Sequence, residues 1–375
     1  MGLVRGGDVG DCIPVGEHDP SVRRHWRVRG AILRPPARLF SAQFATDKQG
    51  AYPPVIRVFR HPGPQSRYPR GAVLAIGNFD GLHRGHALLI ERAQDLARAA
   101  NRPVAVLTFE PHPRSVFVPA AEPFRLTPFR VKERELARLG VDLLFVQHFD
   151  LSFAAKSAED FLSHIVVEAI GASHVVVGWD CTFGKGRRGT PEMLRGAGGS
   201  FGFGVTVLEP IRGADQTVYS STQIRELLKT GNPREAAALL GRFWEIDGRV
   251  AVGDRRGRTI GFPTVNLGLD DYIRPAFGVY AVRVSGDGAD DAFDGRTIGG
   301  VANIGLRPTV GSPEPRLEAH LFDIDADLYG RHLRVALVEF IRPEIKFAGL
   351  DALKAQIAED ARCARELLAH ITLPA

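Results

Sequence analysis

Cysteine is scarce in this chain. Its three copies in 375 residues, Cys12, Cys181 and Cys363, lie far apart and in no CxxC or Cys/His cluster. That spacing excludes a disulfide framework, argues against a zinc site and fits a reducing, cytoplasmic compartment. Long apolar runs are missing as well. No segment approaches the ~18 residues that a membrane-spanning helix needs, and charged residues interrupt every N-terminal stretch that could serve as a signal peptide. Nor does one sign of charge dominate: 48 Lys+Arg stand against 43 Asp+Glu, and residues 1–54 carry +3 of the net +5. A remainder so close to neutral lacks the broad basic footprint of a nucleic-acid binder. Neither nucleic acid nor membrane is expected as a partner, and nothing in the sequence sets an oligomeric state.

What is present is an ordinary globular composition, 44% hydrophobic and 24% charged, in a chain long enough for two or three cores. Residues 1–54 mix Gly, Pro and Arg without helical or strand period, apart from a short apolar Ala31–Leu33, and read as a disordered extension. No Met lies between Met1 and Met193, so an alternative start would need a non-AUG codon such as one for Val55. From Val55 strands alternate with helices. Strands are expected at Ala72–Ile76, Pro103–Phe109, Leu143–Gln147, His174–Val177 and Gly204–Leu208. Helices are expected at His86–Ala100, Val131–Leu139, Ala158–Ile170, Gln223–Lys229 and Pro233–Leu240, the last stopped by Gly241. This alternation predicts an α/β domain with a parallel sheet covered on both faces and ligands at the carboxyl ends of its strands. Beyond Gly241 come short strands with Gly/Pro turns, at Glu245–Val252, Val279–Ser285, Arg296–Ile304, Arg316–Phe322 and His332–Ile341. They predict a small barrel or sandwich, closed by a helix that carries Leu353, Ile357, Leu367 and Leu368 on a packing face. The expected organisation is therefore an extension at 1–54 and domains at 55–241 and 242–375.

The decapeptide Gly77-Asn78-Phe79-Asp80-Gly81-Leu82-His83-Arg84-Gly85-His86 follows a strand and opens a helix. Free N–H groups and the positive end of the helix dipole make such a place a phosphate site. His83 and His86, three apart, face the same way, and Gly85 would let a phosphate approach the backbone. Two imidazoles there can donate hydrogen bonds to a polyphosphate as its charge shifts. At a second helix start, Ser220 and Gln223 fit a capping box, and Arg225 is placed to grip a phosphate bidentately as a second jaw. The stretch Gly184–Gly189 imitates a dinucleotide-binding GxGxxG, with Glu209 about twenty residues on. Against that reading, Trp179–Phe183 separate it from the strand, and Gly196, Gly198 and Gly199 cut the helix that should follow. Its Lys185, Arg187 and Arg188 suit an anionic substrate better.

In the second half, Gly248–Asn266 is a strand running into a basic, glycine-punctuated loop whose N–H groups and arginines suit a polyphosphate. Thr264 and Asn266 are two apart. If extended, they offer a hydroxyl and an amide oxygen on one face to a Mg²⁺ that bridges ATP phosphates. Along Leu317–Phe322 the pattern alternates, with Glu318, His320 and Phe322 on one face. A carboxylate inside a barrel-like strand is costly without a partner or a task, which makes Glu318 a general-base candidate. Asp323, Asp325 and Asp327 begin like an EF-hand loop, but Leu328 stands where that loop requires glycine, so a hairpin turn is expected.

GNFDGLHRGH (77–86), TFEPHP (108–113), VGWDCTFGKGRRGT (177–190) and SSTQIRELLKTGN (220–232) occur in that order. Together they resemble the FMN adenylyltransferase half of the bacterial bifunctional riboflavin kinase/FAD synthetases, which belongs to the Rossmann-like His-x-Gly-His nucleotidylyltransferases. PAFGVYA (275–281), ANIGLRPTV (302–310), DIDADLYG (323–330) and RPEIKF (342–347) are similar to the riboflavin kinase domain of the same family, a six-stranded β-barrel with a C-terminal helix. The resemblance spans about residues 55–370. It implies that His83 and His86 stabilise the ATP phosphates, and that Gly77, Phe79, Asp80 and Gly85 belong to the same ATP loop. Asp180 and its loop would hold adenine or ribose, and Ser221, Thr222 and Arg225 would close over the triphosphate. In the kinase half it puts Gly257, Arg258, Gly261, Thr264 and Asn266 on Mg-ATP, Glu318 on the riboflavin 5′-hydroxyl, and Glu344 and Phe347 on the isoalloxazine ring. Cys181 departs from the family, which more often has Phe there, and an inert packing role is expected for it. Mg²⁺ is the implied cofactor, ATP the co-substrate, and riboflavin, FMN and FAD the substrates or products. The residue types suit the chemistry: an FMN phosphate is already anionic and needs no base, whereas a primary alcohol does. A related adenylyltransferase with another acceptor and a nucleotide-binding regulator without turnover stand as alternatives.

Overall fold

Val73–Ile76 is apolar on both sides, as a central strand of a covered parallel sheet must be. The fold is that of a computed structural model, which describes residues 56–63, 68–119, 122–210, 218–251, 263–286, 293, 295–307, 314–324 and 326–372, together with the backbone of 26–28 and 31–33. Within the first 54 residues, β1 (Trp26–Val28) pairs antiparallel with β2 (Ala31–Leu33), Trp26 opposite Leu33. The rest of the expected extension lies outside the described residues.

The first large sheet contains β3 (Arg57–Arg60), β4 (Val73–Ile76), β5 (Val104–Glu110), β6 (Leu143–His148), β7 (His174–Gly178) and β8 (Gly204–Leu208). Its order is β3-β6-β5-β4-β7-β8 and every pairing is parallel. Because strand side chains alternate, Val73 and Ala75 pack under Leu89, Ile90 and Ala93 of helix α1 (Arg84–Ala100), while Leu74 and Ile76 face the opposite layer. There they meet Phe161, Leu162 and Ile165 of a π-helix, Phe161–Ile170. Shorter helices α2 (Pro113–Phe117), α3 (Phe129–Arg138), α4 (Leu151–Ala154) and α5 (Ala158–Asp160) complete the crossovers. The next helix, α6 (Pro191–Phe201), corrects an expectation, since Gly196, Gly198 and Gly199 do not cut it. Thr190 caps it by accepting from the Met193 N–H, Pro191 occupies its first turn, and Gly202 ends it in the left-handed conformation. Gly198 is there for contact: a Cβ would lie 2.7 Å from the Phe203 carbonyl oxygen. Helices α7 (Ser221–Lys229) and α8 (Pro233–Leu240) follow, the latter stopped by Gly241 at φ 76°.

The second sheet is antiparallel and curls on itself. Its strands β9 (Glu245–Arg249), β10 (Thr264–Gly268), β11 (Gly278–Gly286), β12 (Ile298–Arg307), β13 (Glu314–Leu321) and β14 (His332–Pro343) run in the order β10-β13-β12-β11-β14-β9. The Ala251 N–H donates to the Asn266 carbonyl at 2.9 Å and draws the two edges together. Helix α9 (Leu350–His370) lies outside, its Ala364 against Val279, Ala281, Val301 and Phe322, and Arg342 of β14 grips its Asp360 at 2.6 Å.

Barrel and parallel-sheet half are continuous inside. Leu126, Val131, Ile224, Leu228 and Leu240 share one apolar cluster with Val265, Tyr280, Leu317 and Leu337. Around it, Arg134 of α3 binds both Glu245 and Asp247, and the Trp244 indole N–H donates to the Leu126 carbonyl at 2.8 Å.

Candidate active sites

Strand β4 pairs with β5 on one side and β7 on the other, so the crossovers from it diverge and leave a crevice at its carboxyl end. The 77–83 loop leaves β4 there and the Gly178–Asp180 turn leaves β7. They open on a cleft of about 1270 Å³ that Gly77, Phe79, Asp80, Gly85, Asp180, Ser221, Thr222 and Arg225 all line, with both His83 and His86. The residues expected for the first ATP site thus meet in one place. Aromatic side chains absent from the expected set, Phe109, Phe117, Phe149 and Phe153, form another wall of the same cleft.

The loop is tightly wound, with left-handed backbone at Phe79 (φ 49°), Gly81 (φ 89°) and Leu82 (φ 47°). Only Gly81 adopts this freely; for the other two it costs on the order of 1 kcal/mol each, offset by burying both side chains. His83 caps α1: its Nδ1 accepts the His86 N–H at 3.3 Å, which places the proton of the neutral ring on Nε2. The two imidazoles stack, with centroids 3.7 Å apart. Burial, reinforced by the Arg242 and Arg225 cations, outweighs Asp80 and depresses the pKa of His83 to about 4. Burial, then His83 and Lys132, push His86 well below its ordinary value. Both rings are neutral near pH 7 and can act there only as dipolar donors. Gly85 lines the cleft, and packing also asks for glycine there, since a Cβ would sit 3.1 Å from His83 Nδ1 and 3.3 Å from Tyr219 Cβ.

Asp80 is the hub. Only 2% exposed, its carboxylate accepts the Leu126 and Thr127 N–H groups at 3.0 and 2.9 Å and Arg225 Nη2 at 2.6 Å, while its carbonyl accepts the Ser221 hydroxyl at 2.7 Å. Burial opposes its ionisation, but Arg225, Arg125 and the Thr127 N–H prevail and hold its pKa below the usual value. Arg225, which lines the cleft, is held in place by the protein, its Nε donating to the Phe124 carbonyl at 2.9 Å. The Ser220 hydroxyl accepts from the Thr222 N–H at 3.2 Å, which makes Ser220 a simple N-cap instead of the expected reciprocal box with Gln223. Beneath the loop lies a buried ionic cluster that sequence reasoning missed. Lys132 bonds Glu110 at 2.9 Å and Thr108 at 3.2 Å, Glu110 takes Arg125 through both oxygens, and the Thr108 hydroxyl donates to the Asn78 carbonyl at 3.2 Å. The TFEPHP motif carries two of these residues.

Asp180 is exposed at the mouth of the cleft beside the exposed indole of Trp179. The GxGxxG imitation is a 3₁₀ turn, Lys185–Arg187, with Gly184 and Gly186 left-handed. Its Lys185 and Arg187 line the cleft, a geometry that suits an anion. Cys181 packs against the second core layer, and burial followed by Asp180 raises its thiol to about 12, leaving it inert.

On the barrel, Asn266, Glu318 and Asn303 are directly opposed across β10, β13 and β12. Thr264 is two residues away on the same face, opposite His320. This face is the outer one: Leu317, Ala319 and Leu321 fill the barrel, whereas Glu318 is half-buried on its outside, which corrects the interior placement. The Asn303 amide, another residue missed, donates to Glu344 at 3.1 Å and brings Glu344 to the Glu318 row. The Arg342 guanidinium lies 5.9 Å from the ring centre of Phe347. Gly257, Arg258 and Gly261 lie outside the described residues. Asn266 is 6% exposed, and its Oδ1 has no hydrogen-bond partner among the described residues. With the Thr264 hydroxyl it is the kind of hard oxygen donor that Mg²⁺ takes. Among the described residues no group of three His, Cys, Asp or Glu could hold a metal ion. Asp323, at the EF-hand imitation, instead pairs with Arg365 of α9 at 2.7 Å.

Comparison with known proteins matches the two halves separately. The family model for FAD synthetase fits residues 65–223 and that for riboflavin kinase fits residues 240–368. The bifunctional riboflavin kinase/FMN adenylyltransferase of Escherichia coli K12 is 45% identical over 305 residues, covering 81% of this chain and 95% of its own. That of Bacillus subtilis is 38% identical over 298 residues, 77% of this chain and 90% of its own. A crystal structure from Streptococcus pneumoniae, described as a macrolide-efflux protein, superposes with a TM-score of 0.73 at 32% identity, over 84% of this chain and 100% of that one. In the described residues here, no helix is long and apolar enough to cross a membrane.

Proposed function

This chain belongs to the bifunctional riboflavin kinase/FMN adenylyltransferase family, and from that premise we propose how its two sites divide the chemistry. The chain is an enzyme that converts riboflavin and ATP to FMN and ADP, then FMN and a second ATP to FAD and pyrophosphate. The first reaction belongs to the barrel and the second to the cleft of the parallel sheet. The observation that carries the assignment is the convergence of the 77–86, 178–187 and 220–225 segments on one cleft with an aromatic wall. One side of it supplies neutral histidines and cations for phosphates, the other a surface on which a flavin ring can stack.

In the cleft the FMN phosphate attacks the α-phosphorus of ATP, and the bond to the β-phosphate oxygen breaks. His83 and His86 donate N–H bonds to the phosphates as charge moves to the departing pyrophosphate, and Asp180 orients the nucleoside. Ser221, Thr222 and Arg225 close the phosphate side. In the barrel Glu318 accepts the proton of the riboflavin 5′-hydroxyl while its oxygen takes the γ-phosphoryl group. Thr264 and Asn266 would hold Mg²⁺, whose charge offsets that of the ATP phosphates. Glu344, bonded to Asn303 in the Glu318 row, and Phe347 are assigned to the flavin, and Gly257, Arg258 and Gly261 to the second ATP. The domain division at 241/242 and a cytosolic location complete the proposal. Incubation with riboflavin and Mg-ATP followed by chromatographic separation of the flavins tests it: FMN and FAD should appear in turn, and the absence of both overturns it.

A further inference from the structure

Arg242 belongs by sequence to the stretch that matches the riboflavin kinase model, beginning at residue 240, and lies beyond the FAD synthetase match, which ends at 223. Its guanidinium nevertheless reaches the loop of the other site. Nη2 donates to the Gly81 carbonyl at 3.0 Å in a fully buried bond, and Nε lies 3.3 Å from Glu135 of α3. Arg242 is 8% exposed and does not line the cleft, so it touches no substrate there. We propose that Arg242 is a positioning residue for adenylyl transfer, contributed to the adenylyltransferase site by the first segment of the kinase half.

Gly81 sits between Asp80 and the left-handed Leu82, two residues before His83. Its N–H is fixed by Thr127 Oγ1 at 2.9 Å, and its Cα is wedged so that a Cβ would lie 2.9 Å from Leu126. The Arg242 bond fixes the remaining polar group of that peptide segment. Charge-assisted and shielded from water, it is of the stronger kind, and it holds backbone that Phe79 and Leu82 would otherwise relax. His83 then keeps the angle at which Nδ1 caps α1 and Nε2 stays free to donate. Removing the guanidinium strands no carboxylate, because Glu135 retains Arg138 at 3.1 Å and Arg134 at 3.5 Å.

The inference rests on reading the cleft as the FAD-forming site, and the experiment separates the two. Full-length wild type, Arg242→Gln and Arg242→Lys are assayed for riboflavin-to-FMN and FMN-to-FAD conversion separately. Arg242→Gln should lower kcat for FAD formation tenfold or more while KM for ATP moves less than threefold, and should leave FMN formation within twofold of wild type. Arg242→Lys, which keeps the charge but not the fork, should recover part of the loss. FAD formation at the wild-type rate in Arg242→Gln, or both reactions falling together in both variants, overturns the inference. Should Arg242→Gln fail to fold, Arg242→Lys decides by the same split between the two reactions. A wild-type chain that forms FMN but no FAD overturns the reading of the cleft itself.

Discussion

Asp80→Asn is the sharpest perturbation of the first site, because one carboxylate holds both the Leu126–Thr127 backbone and Arg225. Its Oδ1 accepts the Leu126 N–H, the Thr127 N–H and the Thr127 hydroxyl at 3.0, 2.9 and 3.2 Å, and its Oδ2 accepts Arg225 Nη2 at 2.6 Å. An amide has one acceptor oxygen. Turned toward the backbone, it sets NH₂ against the Arg225 guanidinium; turned the other way, it sets NH₂ against two buried N–H groups. Breaking a buried pair in this way costs about 3–5 kcal/mol. Arg225 keeps the Phe124 carbonyl and 16% of its side-chain surface, which favours the low end, about 3 kcal/mol. At roughly 2 °C per kcal/mol for a large domain, the melting temperature should fall by about 6 °C. FAD formation should fall by about 10²-fold or more, since Ser221 and Arg225 are both fastened to this residue. Differential scanning calorimetry with separate assays of the two reactions measures both effects. A variant that melts within about 1 °C of wild type and still makes FAD at the wild-type rate would refute the hub, as would an equal loss of FMN formation.

Glu318→Gln should slow FMN formation by roughly 10²–10⁴, a typical general-base contribution, and leave FMN-to-FAD conversion intact. His83→Ala should do the reverse, and loss of both steps in either variant would mean that the sites are not independent. In α6, Gly198→Ala should destabilise the protein by about 1–2 kcal/mol, because overpacking against Phe203 and Val205 exceeds the helix-propensity gain. Gly199→Ala meets nothing within 4 Å and should stabilise by about 0.5–1 kcal/mol; urea melts that give both the same sign would contradict the packing account. Acid should destabilise the cleft well above the carboxylate range. His83 and His112, with burial first among the causes, titrate at about 4 in the fold, so the unfolded chain binds protons from about 6.5 that the native chain refuses. Stability therefore falls as pH drops from about 6.5 toward 4, at up to about 1.4 kcal/mol per pH unit for each such group. A melting temperature that stays level over that interval would count against buried neutral histidines.

The elements that a local period defines were legible in the sequence. Gly204–Leu208 and Pro233–Leu240 fall where expected, and β4 to β7 differ only at their ends. Strand β3 (RVFR) was missed because four residues with a charge at each end carry almost no alternation, and β10 because it is five residues long and emerges from a Gly/Pro loop. Helix α3 misleads in a different way. FRVKERELAR is more than half charged and reads as a solvated face, yet Lys132 and Glu135 are buried in it. What decides their burial is Glu110 from β5 for one and Arg242 from beyond α8 for the other, partners 22 and 107 positions away in the sequence that no local pattern predicts. Alternation in β13 separated Glu318 from Leu317 and Ala319 correctly. It could not by itself say which side was inside; the apolar side was, and the candidate base faces out.

The same limit explains the domain boundary. Pattern changes sharply after Gly241, because period is a property of neighbouring residues, whereas packing is not. The apolar cluster that fills the barrel continues into Leu126, Ile224 and Leu240, and Trp244, three residues past the change, bonds the segment that holds Asp80. That segment, Phe124–Thr127, is shared: Arg125 donates its N–H to the Asp271 carbonyl and accepts from the Ile273 N–H on the barrel side, while Leu126 and Thr127 donate to Asp80 on the cleft side. A cut at residue 241 would expose the shared apolar face, remove Arg242 from the 77–83 loop and remove Trp244 from the 124–127 segment. Two activities that look separable in the order of their motifs are therefore built on one continuous core, and the cleft depends on residues that its own stretch of sequence does not contain.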